Sequence, residues 1–456
     1  MSFSTPKSFL KGLIWPAMPS QQGSSLLAMQ YQFEQSQWWS AELLRNQQFK
    51  QLENLVDHAF NTVPYYQESF KTAGFIPGTS ALKDVWSGIP ILKREQIQQA
   101  GDLLKSKEIP SQHGKTFSIW TSGSTGSPIR VIGTGVTSFL WKALTLREHT
   151  WHRRDLSATL AAIRYFAEDI ALGPDGVSEK IWGQATGQVY DTGDCQILNI
   201  KTPIDIQADW LIRHDPEYLL TFPSNLQALA KYFIEKDLKL SNLRGVSTLS
   251  ETLGSDVRDM VRQAWGVGLQ DMYSTQEAGY LAIQCPEHEH YHVQAENIFL
   301  EVLNDDDEPC KAGEVGRVIV STLHNFATPL IRYETGDYAE VGETCPCGRG
   351  LPVLKRILGR SRNMVTMPTG EQHWPVLGFM KYKDVIEIKH MQVIQHSTEE
   401  LELKLVVNEN VTLEQEQKFG KIIQTSIGYP FRIRFTYVDE IPRGKNGKFE
   451  EFISNL

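Results

Sequence analysis

Ile119-Trp120-Thr121-Ser122-Gly123-Ser124-Thr125-Gly126-Ser127-Pro128-Ile129-Arg130-Val131 is the stretch from which the fold of this chain is read. From Thr121 to Ser127 every residue is small or hydroxylated, and both flanks are β-prone. A loop without bulky side chains lets backbone NH groups approach an oxyanion, and its hydroxyls add hydrogen bonds, so it suits a phosphate. It lacks the Gly-Lys-Ser/Thr ending of a Walker loop. Taken alone, the same stretch also reads as a plain hairpin turn.

Working outward, residues 25–60 carry Leu43, Leu44, Phe49, Leu52, Leu55 and Val56 at helical spacing, which predicts helices covering a sheet. Trp141 to Arg154 predicts a helix, Ala158 to Tyr165 a strand, and the Gly- and Asp-rich segment 169–193 loops lining a cleft. Leu219 to Leu226 reads as a buried strand running into a helix. Gly245 to Leu249 reads as a strand ending at Ser250-Glu251, and Gly254 to Trp265 as a helix. Strand alternating with helix predicts a parallel, layered α/β domain. After Gly279 the pattern changes to hairpins, with Ile298–Leu303 and Gly316–Thr322 pairing across the acidic turn Asn304–Asp307. Met391–Gln395 and Leu401–Val407 predict strands, and Glu414–Ser426 a helix. There is no internal repeat.

A chain of 456 residues exceeds one ordinary core, so at least two domains are expected. Its 41% apolar and 22% charged content describes an ordinary globular protein. A net charge of -9 argues against nucleic acid or an anionic membrane as a general partner, so any anion site has to be locally positive. The apolar patch Phe9 to Trp15 is broken by Lys11 and Gly12 and followed by Pro16, too short for a membrane span and without a clear cleavage site. A cytoplasmic location is expected. The odd set of Cys195, Cys285, Cys310, Cys345 and Cys347 fits reduced thiols better than a disulfide framework.

Thr121 to Pro128 resembles the phosphate loop of the adenylate-forming superfamily of acyl-CoA synthetases, luciferases and nonribosomal adenylation domains. Three later stretches match that superfamily in order: Asp271-Met272-Tyr273-Ser274-Thr275-Gln276-Glu277, Arg332-Tyr333-Glu334-Thr335-Gly336-Asp337, and Pro442-Arg443-Gly444-Lys445-Asn446-Gly447-Lys448. Thr62-Val63-Pro64-Tyr65-Tyr66 and Ile89-Pro90-Ile91-Leu92-Lys93-Arg94-Glu95 are similar to the phenylacetate-CoA ligase branch, and Met391–Gln395 to its members associated with capsular polysaccharide genes. The resemblance implies an α/β fold with a large layered N-terminal domain and β-rich subdomain, residues 1–358. A small mobile α+β C-terminal lid, residues 359–456, would follow the hinge Gly359-Arg360-Ser361-Arg362. The hinge departs from the family pattern, because Arg362 and Asn363 stand where two acidic residues are usual.

The resemblance also implies a chemistry. A carboxylate attacks the α-phosphate of ATP, pyrophosphate leaves, and the acyl group passes to CoA as a thioester; the acid is expected to be aromatic or otherwise hydrophobic. Both reacting partners are anions, so the protein has to position them and neutralise charge. On the family pattern Thr121, Ser122, Gly123, Ser124 and Thr125 cradle the β and γ phosphates, and Gly126 also lies at the nucleotide. Thr275 touches the α-phosphate, with Ser274 also at the nucleotide; Glu277 ligates magnesium, Tyr273 stacks on adenine near Glu251, and Asp337 accepts the ribose hydroxyls. Arg360 lies at the hinge on the nucleotide side, and Lys448 bridges the incoming carboxylate and the α-phosphate. Trp141, Tyr165, Trp182 and Tyr280 stand as pocket candidates, although large aromatics are more often core. The alternative acceptor is an amine on a sugar, amino acid or carrier; a binding protein without catalysis is disfavoured by the intact Lys448, Glu277 and Asp337. The resemblance leaves room for a homodimer.

Cys345-Pro346-Cys347-Gly348-Arg349 is a tight Cys-x-Cys, with Cys285, His288, His290 and His292 upstream. Zinc takes four thiolate or imidazole ligands, so three cysteines and one histidine would close a structural site, as in the phenylacetate-CoA ligase branch. The resemblance favours Cys285, His292, Cys345 and Cys347, with His290 as the second choice for the histidine. Three unconnected thiols beside a polar loop are the alternative.

Overall fold

A computed structural model describes residues 5–121, 128–166, 169–254, 256–360, 363–375, 385–407, 409–444 and 447–456. The chain divides into two compact units. The first comprises Met1–Thr159, Glu179–Cys195 and Asp271–Ile357; the second comprises Leu160–Ser178, Gln196–Gln270 and Leu358–Leu456.

In the first unit the strands run in the order Ile298–Leu303, Val315–Thr322, Tyr333–Val341, Val353–Arg360, Tyr291–Val293, Gly279–Gln284 and Gly268–Thr275. Antiparallel pairs from Ile298↔Thr322 to Leu303↔Arg317 confirm the pairing expected across Asn304–Asp307, and Val320↔Tyr333 joins the next strand. From Val318 to Thr322 the side chains are buried on both sides of the strand, which requires cover on both faces. The helix Ala41–Thr62 supplies one cover through Leu52, Leu55, Val56 and Ala59, packed with Val318, Val320, Ile331 and Tyr333. The helix Gly135–Trp151 packs elsewhere on the sheet, through Leu140, Ala143 and Leu144 on Tyr280 and Ile283. That helix starts six residues before the expected Trp141. The Thr134 side chain accepts from the Thr137 N–H and closes a capping box that turns a Gly-Thr-rich segment helical. It stops at Trp151 rather than Arg154, because Arg153 takes φ 49.

The second unit carries the expected parallel layer. Leu160–Arg164 pairs with Tyr218–Thr221, which pairs with Gly245–Thr248, each in parallel register. Helices Ile204–His214, Pro223–Glu235 and Val257–Trp265 pack on them through Trp210, Leu211, Leu226, Phe233, Met260 and Val261. The 169–193 segment, expected as loops, also holds the strand Val177–Glu179 and the single helical turn Gln184–Gly187. Toward the C-terminus, Arg432–Tyr437, Glu400–Val407, Ile388–Ser397 and Phe452–Ser454 form a sheet in that order. The helix Leu413–Ile427 buries Phe419, Ile423 and Ile427 against Val393, Leu401, Leu403 and Leu405. The mixed α/β class with a large sheet and a small C-terminal α/β part is as the sequence implied. No described helix is long and apolar enough to cross a membrane.

Candidate functional site

The loop that opens the reading is the connection of an antiparallel hairpin, Phe117–Trp120 with Arg130–Gly133, in which Trp120 pairs with Arg130. Thr121 is pinned at its base: its N–H donates to Ile129 O at 3.0 Å, and its Oγ1 accepts from Ile129 N at 3.1 Å. Ser122, Gly123, Ser124, Thr125 and Gly126 lie outside the described residues. The same Thr121 Oγ1 accepts from Arg94 Nη2 at 3.2 Å. Arg94 follows Lys93 in the stretch read only as a helix start, and it brings the local positive charge that an anion site in an acidic chain requires. Burial pushes the Tyr333 hydroxyl well above the ordinary tyrosine range, and Glu277 adds to this while Arg94 opposes it. Tyr333 Oη donates to Glu277 Oε1 at 3.3 Å, so Arg94, Tyr333 and Glu277 form one polar row.

Glu277 stands at the tip of the hairpin joining Gly268–Thr275 to Gly279–Gln284. Thr275 Oγ1 accepts from Ala278 N at 3.1 Å, and Gly279 takes φ 84, a conformation open to glycine at little cost. A Cβ on Gly279 would stand 3.7 Å from the Trp141 ring. Trp141 is 36% exposed and meets Tyr280 edge to face at 5.2 Å between centroids, so this pair flanks the Thr275–Gly279 turn. Trp182 is buried, with its indole N–H on Ala158 O at 2.8 Å.

The stretch Arg332–Asp337 divides its labour. Arg332 is buried and donates to Ser87 O and Ile89 O at 2.8 and 2.6 Å. Thr335 Oγ1 donates to Val318 O and accepts from Asp337 N, both at 3.1 Å, while Gly336 takes φ 80. The resulting bend presents Asp337 to Tyr273, whose hydroxyl donates to Asp337 Oδ2 at 2.7 Å while its ring sits in the core.

Thr121, Tyr273, Ser274, Thr275, Glu277 and Asp337 belong to the first unit; Glu251, Arg360 and Lys448 belong to the second. Within the second unit Glu251 is met by Ser224 N at 3.0 Å, Phe449 N at 2.7 Å and Arg443 Nη1 at 3.4 Å. Burial pushes its carboxyl up, and Arg443 opposes this. Arg360 N donates to Asn363 Oδ1 at 3.3 Å, and Asn363 Nδ2 donates to Phe452 O at 2.7 Å. Lys448 O accepts from Gly444 N at 2.9 Å.

In the first unit Cys285, His292, Cys345 and Cys347 bring one donor atom each within 4.8 Å of one another. A tetrahedral zinc with bonds of ~2.3 Å to sulfur and ~2.0 Å to nitrogen would space its sulfurs about 3.8 Å apart and S from N about 3.5 Å. Cys285 Sγ lies 3.8 Å from Cys345 Sγ, and Cys347 Sγ lies 3.4 Å from His292 Nε2, so the residues fit the ion. His290 Nε2 reaches Cys345 Sγ at 2.9 Å from outside this set. Arg349, two residues after Cys347, is stacked between Trp38 and Trp151 at 4.8 and 4.9 Å and donates to Gln37 Oε1 at 3.0 Å. None of the five cysteines forms a disulfide.

Comparison with known proteins bears on the fold. Residues 379–455 match the family described as the CapK C-terminal domain. The chain is 23% identical over 458 residues to a phenylacetate-coenzyme A ligase of Thermus thermophilus, covering 90% of this chain and 96% of that one. It is 24% identical over 257 residues to Protein CapK of Staphylococcus aureus, covering 54% of each. A crystal structure of 2-hydroxyisobutyryl-CoA ligase in the postadenylation state matches with a TM-score of 0.69, 18% identity, and coverage of 90% of this chain and 89% of that one. The anthranilate CoA ligase AuaEII in complex with anthranoyl-AMP matches with a TM-score of 0.54, 15% identity, and coverage of 81% and 74%. The chain is thus a relative of phenylacetate-CoA ligase and CapK with the fold of the adenylate-forming acyl-CoA ligases.

Proposed function

We propose that this relative of phenylacetate-CoA ligase is an ATP-dependent, AMP-forming acid–CoA ligase acting on an aromatic or other hydrophobic acid. The observation that supports the reading is that Thr121, Arg94, Glu277, Thr275 and the Tyr273–Asp337 pair lie in one unit and are linked by hydrogen bonds at its turns. In the first half-reaction a carboxylate oxygen of the acid bonds to the α-phosphorus, and the bond to the bridging oxygen of pyrophosphate breaks. In the second, the CoA sulfur bonds to the acyl carbon, the bond to the AMP oxygen breaks, and the thiol proton is released.

Thr121 and the loop after it would hold the β and γ phosphates through backbone NH groups and hydroxyls, with Arg94 offsetting their charge. Thr275 and Ser274 would face the α-phosphate. Asp337, fixed by the Tyr273 hydroxyl, would accept the ribose hydroxyls. Lys448 would neutralise the carboxylate as it meets the α-phosphate, with Arg360 at the hinge between a body of residues 1–358 and a lid of residues 359–456. Glu277 suits magnesium, which when bound would offset charge on the leaving pyrophosphate. Cys285, His292, Cys345 and Cys347 suit a structural zinc, which would tie the Cys-x-Cys turn to the strand carrying His292. ATP, CoA and thiolate ligands together favour the cytoplasm.

Lys448→Ala tests the assignment. It should abolish acyl-adenylate formation and leave thioester formation from a supplied acyl-adenylate intact; equal loss of both contradicts it.

A further inference from the structure

Glu251 has more partners than a residue free to face a nucleotide needs. Its Oε2 accepts from Ser224 N at 3.0 Å; its Oε1 accepts from Phe449 N at 2.7 Å and faces Arg443 Nη1 at 3.4 Å. Arg443 is half-buried and also donates to Ser224 Oγ at 2.7 Å and to Gly447 O at 3.2 Å. Ser250, just before Glu251, takes φ 74, a left-handed conformation that a serine adopts only when its surroundings impose it. Gly447, just before Lys448, takes φ 74 and lies so close to the Tyr165 ring that a Cβ there would come within 2.6 Å. Thus the residues on either side of Lys448 are fastened, Phe449 through its N–H to Glu251 and Gly447 by packing on Tyr165.

We propose that Glu251 is a positioning residue, a latch that docks Arg443 and the Gly447–Phe449 stretch and so presents Lys448 for the first half-reaction. Two neutral donors and one guanidinium on a single buried carboxylate give a contact strong enough to hold the segment, yet dependent on one side chain. The inference rests on the role given to Lys448 above.

The test compares the full-length parent with Glu251→Gln and Arg443→Met. The glutamine keeps one acceptor oxygen but sets an NH2 group against a donor. Acyl-adenylate formation should fall about 10-fold or more, the loss of one charge-assisted hydrogen bond in the reacting arrangement. Thioester formation from supplied acyl-adenylate should stay within about 2-fold of the parent, and ATP affinity by calorimetry should be unchanged. Independently of turnover, amide hydrogen exchange at Gly447–Phe449 should quicken in both variants. Unchanged exchange, equal loss of both half-reactions, or weakened ATP binding with the adenylation rate intact would each overturn the latch. The last would make Glu251 a nucleotide contact instead. Lys448→Ala run alongside keeps the two claims apart: if it adenylates normally, the reading of Lys448 fails whatever Glu251 does.

Discussion

The Tyr273 hydroxyl donates to Asp337 Oδ2 at 2.7 Å, linking two stretches 64 residues apart in sequence. One is the end of a strand and the other a bend made by Thr335 and Gly336, and both were legible as motifs before their contact was. The hydroxyl fixes one carboxylate oxygen, and the proposed function gives Asp337 the ribose diol. Asp337→Ala should therefore raise KM for ATP about 10- to 100-fold, the worth of one or two hydrogen bonds to a charged group. Tyr273→Phe should raise it only a few-fold, since the carboxylate survives. Initial rates at varied ATP check both; an unchanged KM in Asp337→Ala contradicts the ribose assignment.

The Cys285, His292, Cys345 and Cys347 set should hold one zinc per chain. Cys345→Ser should lose the metal and lower the melting temperature by on the order of 5 °C, as the turn loses its tie to the strand. Elemental analysis and thermal melts read both. Protein purified without zinc and melting like Cys345→Ser contradicts the site.

Arg147 is 2% exposed and reaches both oxygens of Glu296, at 2.9 and 2.8 Å, while it stacks on Phe33 and Trp151 at 4.5 and 5.0 Å. Burial alone would raise the Glu296 carboxyl, and Arg147 beside it brings it below the ordinary value. Arg147→Met strands that carboxylate in the core and should cost about 3–5 kcal/mol of stability. The double variant with Glu296→Gln should recover part of the loss. Denaturant melts read this, and an unaltered midpoint in the single variant contradicts it.

Burial, with Asp256 adding to it, pushes the Glu451 carboxyl from an ordinary 4.5 up to about 7. A carboxyl raised on folding binds more protons in the native chain than in the unfolded one between those values. Its contribution is therefore favourable on the acid side and is lost as pH rises from about 4.5 to about 7. Glu451→Gln should melt with the parent at pH about 4.5 and above it at pH about 8. A gap that does not change with pH contradicts the shift.

What the sequence disclosed follows from how local each signal is. Gly336 and Gly279 mark bends that need positive φ, so the stretches around Asp337 and Glu277 could be read in place. The Cys-x-Cys with its upstream Cys and His residues points to a ligand set through the family resemblance, and the structure brings Cys285, His292, Cys345 and Cys347 together. The start of the helix at Gly135 depended on one capping threonine inside a segment with the look of a loop. Arg94 meets Thr121 from 27 residues away, and Glu251 meets the N–H of Phe449 from 198, distances at which no pattern in the chain points to the partner. Arg349 acts through the faces of Trp38 and Trp151, which only the packing brings together.

The central claim is that the chain makes an acyl-adenylate and passes it to CoA. The most direct measurement is acid-dependent release of pyrophosphate from ATP and magnesium, across aryl and alkyl acids, with and without CoA. The account predicts release with an aromatic or hydrophobic acid, faster turnover when CoA is present, and a thioester among the products. Release that CoA neither quickens nor converts to thioester would move the acceptor to an amine, and no release with any acid would contradict the account.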